Sequence, residues 1–261
     1  MKKLLSLLFF AGYFLGMVPA TYAEEAASRP DKNFVIEKAR KFLGGSENLE
    51  QIESLKYTGT INSPERKRAG SLVMELKKPQ KQRIQIETPS GDLEVTAVNG
   101  YEGWIMKKAS GEQAAEVQVM KPENLNRMLV STWENLNFFK EPTEQHAKTV
   151  FKGITEFRGR PVYELHVIYP GGTPTFRRYF DKQTGELVGS LTDDGLEFIE
   201  SGMILVDGVQ FPRKIEAFRG EKRVHVIEFS EITINPEISD SQFEYPTSVP
   251  VKRKIPSMSD F

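Results

Sequence analysis

The chain has 261 residues, 39 % of them hydrophobic and 27 % charged, and its 35 Lys and Arg nearly balance its 36 Asp and Glu. A formal net charge of −1 gives no electrostatic reason to expect a nucleic-acid partner. Zero cysteines exclude disulfides, thiolate metal ligands and thiol chemistry, so stability has to come from burying apolar surface.

Met1 to Ala23 reads as a cleavable secretory signal. Lys2 and Lys3 form the basic start, Leu4 to Val18 the apolar stretch, and Pro19 precedes the small-residue exit Thr21-Tyr22-Ala23. The apolar stretch is short and broken by Gly12 and Gly16, which favours cleavage over a membrane anchor. A lipid anchor would need a cysteine at the cleavage site. The expected product is a soluble, exported, periplasmic chain of roughly 240 residues, long enough for one large β domain.

Residues 24–30 are polar and Ala-rich and read as a disordered leader. Phe34 to Leu43 places Val35, Ala39, Phe42 and Leu43 on one helical face, with Asp31 or Asn33 as cap and Gly44-Gly45 as the stop. A helical turn at Glu47 to Ile52 precedes a strand at Leu55 to Ile61. Short alternating strands then follow: Leu72, Met74 and Leu76; Ile84 and Ile86; Leu93, Val95 and Ala97; Trp104 and Met106; Ala115, Val117 and Val119. Ser90-Gly91, Asn99-Gly100 and Ser110-Gly111 supply turns between them. Pro122 opens a helix with Leu125, Met128, Leu129, Thr132, Trp133 and Leu136 at three- and four-residue spacing.

Strands resume at Lys148 to Phe157, Arg160 to Tyr169, Thr175 to Asp181, Leu187 to Leu191, Leu196 to Val206, Val209 to Phe218 and Val224 to Ile234. Nearly all are joined by hairpin-length turns, so the sheet is antiparallel. About a dozen strands exceed what a flat open sheet tolerates, which predicts curling. The fold class expected is mainly β with helices (α+β): a curved antiparallel sheet forming an unclosed β-barrel, covered by the N-terminal helix and the mid-chain helix. The domain should span 31–248, with a flexible, basic tail at 249–261.

Catalytic and metal chemistry find no foothold. His146, His166 and His225 stand apart, without companions at metal-ligand spacing, and no nucleophile elbow or phosphate-cradling loop occurs. Asp193-Asp194 with Glu197 has the composition of an acid/base or calcium site, but flanks Gly195 between two strands and reads as a hairpin turn. Arg177 and Arg178 are strand neighbours, so at most one looks into the sheet's interior. No enzyme activity, no cofactor and no metal are expected.

Between Gly70 and Met120 the chain resembles the LolA/LolB-like family of periplasmic lipoprotein carriers and sorting proteins. The likeness rests on the strand ending Lys77-Lys78-Pro79, the strand Arg83 to Glu87, the strand reaching Val98-Asn99-Gly100, the aromatic start at Trp104 and the helix that follows. Ile238, Phe243, Tyr245 and Pro246 sit where such domains end in a short strand. The resemblance implies an unclosed barrel whose cavity holds acyl chains. Leu72, Met74, Leu76, Ile84, Ile86, Leu93, Val95, Trp104 and Met106 would line its sheet side, and Leu125, Met128, Leu129 and Trp133 its lid.

Such carriers often hold the lid with an arginine before the proline. This chain has Lys78 there, which makes Lys78 the candidate for lid gating. On pattern alone these residues describe a packed core, and the resemblance adds the ligand. The partners it implies are lipid or lipoprotein acyl chains, with membrane-bound donor or acceptor proteins, and a monomeric carrier. A different class on the same sheet is a non-transporting envelope module that senses or binds a protein.

Overall fold

The structure is a computed structural model that describes residues 30–63, 68–170 and 175–247. The expected signal peptide at 1–23, almost all of the leader at 24–30, and the tail at 249–261 lie outside the described residues. Among the described residues the fold is mainly β with three α-helices, built on one antiparallel sheet that does not close into a barrel.

Six strands leave the first helices in order: β1 (Ser54–Ser63), β2 (Arg68–Lys77), β3 (Lys81–Glu87), β4 (Leu93–Asn99), β5 (Glu102–Lys108) and β6 (Glu116–Val119). Seven more follow the mid-chain helix: β7 (Lys148–Phe157), β8 (Arg160–Ile168), β9 (Thr175–Asp181), β10 (Leu187–Thr192), β11 (Leu196–Val206), β12 (Val209–Arg219) and β13 (Lys222–Ile234). Their spatial order is β6-β5-β4-β3-β2-β1-β13-β12-β11-β10-β9-β8-β7, two meanders joined where β1 pairs with β13. β6 and β7 are therefore the two edges, and the helix α3 (Pro122–Asn137) connects them.

Helix α1 (Lys32–Leu43) begins where Asp31 accepts a hydrogen bond from the Phe34 amide and ends at Gly44. Gly44 has φ +132°, and a Cβ there would stand 2.3 Å from the Gly208 carbonyl, so only glycine lets the helix end dock on the β11–β12 turn. After the short helix α2 (Ser46–Glu50), the chain enters the sheet. Val35 and Ala39 of α1 bury against Tyr163, Leu165, Phe180 and Leu187. Leu43 joins a second cluster with Leu55, Leu76, Leu136, Phe138 and Phe211. Leu55, Leu76 and Leu136 are fully enclosed, each stabilising the fold by about 1.5–3 kcal/mol.

Curvature follows from what α3 touches. Thr132 reaches Gln82 on β3, while Glu134, two residues along, reaches Arg178 on β9. Those strands are seven steps apart in the sheet, about 34 Å if it were flat, against a helix diameter of about 10–12 Å. The sheet must curl around the helix.

One expected element differs. After β13 the chain forms a 3₁₀ turn at Asp240–Gln242 rather than a closing strand, and Phe243 plugs the sheet's convex side with 0 % exposure. The carboxylate group at Asp193, Asp194 and Glu197 is a docking turn: Asp193 pairs with Arg127 and Glu197 with Arg158. Among the described residues no cluster of His, Asp or Glu is arranged to hold a metal.

Candidate functional site

Strand register decides which residues can share a cavity, because paired residues in neighbouring antiparallel strands project to the same face. Tyr57 pairs with Met74, and Met74 with Ile84; Leu72 pairs with Ile86, and Leu55 with Leu76. Leu72, Met74, Leu76, Ile84 and Ile86 thus share the concave face, beneath α3.

The register then sets Ile84 opposite Thr96 and Ile86 opposite Glu94. Val95 pairs instead with Gln85 and Met106, and Ala97 with Arg83 and Trp104. Leu93, Val95, Trp104 and Met106 consequently stand on the convex face and cannot line one cavity with the other five. A one-residue difference in parity moves a strand's whole apolar set to the other side.

These four have a cover of their own. Val95, Ala97, Trp104, Met106 and Ala115 form a separate buried cluster. The Trp104 indole Nε1 donates to the Phe243 carbonyl at 3.0 Å. Lys77 and Lys81 grip Asp240 at 2.7 and 2.8 Å and pull its carboxyl down to about 2. Between this C-terminal strap and the sheet remains a shallow cleft of about 310 Å³ edged by Arg83, Trp104 and Met106.

The concave side is covered by α3. Leu125 lies over Gly103, where an added Cβ would sit 2.9 Å from its Cδ1. Thr132 Oγ1 lies 2.7 Å from both Gln82 Oε1 and the Met128 carbonyl, Met128 and Leu129 are half-buried, and Trp133 is buried. Leu125, Met128, Leu129 and Trp133 all lie on this helix.

Polar contacts hold this helix in place. At its C-terminus the buried Arg40 of α1 donates to the carbonyls of Asn137 and Phe138, both at 3.0 Å, a cation set against the negative end of a helix. At mid-helix, the Glu134 carboxylate accepts a hydrogen bond from the Tyr169 hydroxyl and a 2.8 Å bond from Arg178, whose guanidinium also lies 5.2 Å from the centroid of Phe139 and 5.3 Å from that of Phe176. Burial and this carboxylate push the Tyr169 hydroxyl far above its ordinary range. Nearer the N-terminus, Arg127 makes a two-pronged pair with Asp193 at 2.9 and 3.1 Å.

Lys78 is not among these latches. Its ammonium bonds the Glu50 carbonyl at 3.3 Å and Glu53 Oε1 at 3.2 Å, so its charge serves the α2–β1 connection. Arg40 holds the helix instead. One signal for it was present: Ile36, Arg40 and Leu43 fall on one stripe of α1, and a charge inside an apolar stripe needs a buried partner.

Beyond the fully packed end, the concave floor is only half covered. Ile61, Met74, Ile84, Ile86, Ile204, Ile215 and Ile227 pack beside the core yet keep partial exposure. Glu200 lies in the same floor, and burial lifts its carboxyl to about 7 despite the nearby Arg178 charge. A partly exposed apolar floor with a carboxyl in it, beside a polar-latched helix, offers the surface that a chain-like apolar ligand would need.

No family model matches the chain, and no curated protein matches it in sequence. Solved structures do match in shape. A LolA superfamily protein from Nitrosomonas europaea aligns with TM-score 0.54 at 11 % identity, over 83 % of this chain and 98 % of that one. A DUF1329 family protein from Desulfovibrio piger gives 0.47 at 12 % identity, over 82 % and 97 %. An outer membrane lipoprotein-sorting protein domain from Vibrio parahaemolyticus gives 0.46 at 10 % identity, over 81 % and 97 %. The chain shares the fold of this Nitrosomonas europaea protein. Among the described residues no helix is long and apolar enough to cross a membrane.

Proposed function

We propose that the protein is a carrier or binding protein for an acyl-bearing lipid or lipoprotein, working without catalysis after export to the periplasm. The observation that carries this reading is the half-exposed isoleucine floor beneath a helix held by polar latches. Each acyl methylene moved from water onto such a floor gains about 0.8 kcal/mol, so one long chain supplies ample affinity. Release then depends on the latches, whose charged hydrogen bonds are worth roughly 1.5–3 kcal/mol each. A ligand bound through bulk apolar contact and freed by breaking a few polar ones suits capture and hand-over.

Native mass spectrometry of protein isolated from an envelope fraction tests the reading. The expected spectrum contains the mature chain plus the mass of an acyl lipid or lipoprotein, and this adduct disappears in Ile215→Asp and Ile227→Asp. A folded wild-type protein that carries no adduct and takes up no acyl probe from vesicles would overturn it.

A further inference from the structure

Resting on the carrier reading, the polar end of the hollow specifies more than a generic apolar ligand. Glu200 sits mid-strand in a row running Glu200, Ile215, Ile227, Ile61 across β11, β12, β13 and β1, so a carboxyl interrupts an otherwise apolar floor. Arg178 enters the same face through its pairing with Ser190, which in turn pairs with Phe198, two residues from Glu200. Arg178 is only 8 % exposed and carries the cation nearest to Glu200, and it is already bonded to Glu134 of the lid. The groups around Glu200 are Arg178 from β9, Glu134 and Tyr169 bonded to it, Glu186 from the β9–β10 turn and the Tyr57 hydroxyl from β1. With Arg178 already matched to Glu134, Glu186 and, once ionised above about pH 7, Glu200 leave an excess of negative charge.

We propose that Glu200 selects the ligand's headgroup: the hollow accepts acyl ligands ending in an uncharged or cationic hydrogen-bond donor, such as an alcohol, amide or amine, and rejects anionic headgroups. A donor laid against Glu200 satisfies an acid that the isoleucine row cannot. An anionic group there meets like charge in a medium that screens poorly, and Arg178, the cation acting on Glu200, is already committed to Glu134. The site thereby distinguishes amide- or hydroxyl-ended chains from free acids and sulfated or phosphorylated lipids.

The test is displacement of a fluorescent long-chain alcohol from the mature protein at pH 8 by hexadecylamine, hexadecanol and hexadecyl sulfate, each below its micelle threshold, with circular dichroism confirming the fold. The wild type should bind the amine and the alcohol at least tenfold more tightly than the sulfate. Glu200→Gln, and Glu200→Leu as a second variant beside the isoleucines, should bring all three within about threefold. Equal displacement by sulfate and amine in wild type, or selectivity that survives in both variants, overturns the assignment of Glu200 while leaving the carrier intact. A folded wild type that binds none of the three overturns the carrier reading and this assignment with it.

Discussion

The two faces of the β1–β6 half are covered in different ways, and the contrast shows what makes a cover removable. On the convex side the C-terminal strap seals a dry cluster, with Phe243 fully enclosed and Trp104 tied to its backbone. On the concave side α3 roofs a floor whose isoleucines stay half-exposed; Leu136 anchors its C-terminal end in the core, and hydrogen bonds from Arg40, Arg178 and Arg127 hold the rest. An apolar seal is lost only by exposing the core. A polar latch can exchange partners with water at a smaller net cost, so the second cover, along the stretch away from Leu136, is the better suited to move.

The largest expected break in this comparison is Trp104→Ala. Emptying the convex cluster and losing the Phe243 bond should cost about 3–5 kcal/mol, lowering Tm by roughly 10 °C or more, while protein that remains folded binds an acyl alcohol as before. Loss of ligand uptake in that folded fraction would show that the two faces are not separate.

Next comes the pH dependence of the concave side. The folded protein keeps the Glu200 proton up to about pH 7, whereas the unfolded chain releases it near the ordinary glutamate value of 4.5. The stabilisation that this group confers is therefore complete below about 4.5 and is lost as pH rises to 7, a change on the order of 1–3 kcal/mol. Urea unfolding of wild type and Glu200→Gln at pH 5 and pH 8 checks it: the wild type should lose more stability than the variant, and parallel losses would contradict the placement of this carboxyl.

Arg40→Met should act on the lid more than on the sheet. Removing two carbonyl bonds at the end of α3 is expected to weaken its seating by about 1–3 kcal/mol and to speed release of a bound alcohol probe tenfold or more in stopped flow. An unchanged release rate would mean that α3 does not move.

The smallest effects sharpen the same point. Arg127→Ala removes a partly exposed pair and should speed release about two- to fivefold. Lys78→Ala should leave release unchanged within error, since its partners belong to the α2–β1 connection. A Lys78 effect larger than that of Arg127 would return the gate to the position before the proline.

Much of this fold was legible in the residues. Strand periodicity and turn pairs such as Asp207-Gly208, both with positive φ, placed the strands to within a residue or two, because local alternation and turn chemistry agree. Parity between strands was readable in principle and overlooked: Ile84 and Ile86 are even-numbered, Leu93 and Val95 odd-numbered, and the Thr88–Asp92 turn pairs even with even. What covers the convex side could not be read from β4 and β5, since Phe243 lies well over a hundred residues away. The latches were hidden for the same reason. Arg127 and Asp193, or Arg178 and Glu134, are ordinary surface-like residues until the sheet curls and brings them together.

The connection between the two edges gives the lid a further property. Because α3 and the link at 138–147 join the end of β6 to the start of β7, they span the opening of the curved sheet much as a string spans a bow. Flattening the sheet pulls the string taut and draws the helix across the mouth, whereas tighter curling slackens it and lets the helix rise. On the carrier reading, a ligand that spread the floor would tighten its own restraint, and pinching the β6 and β7 edges together would loosen it from outside.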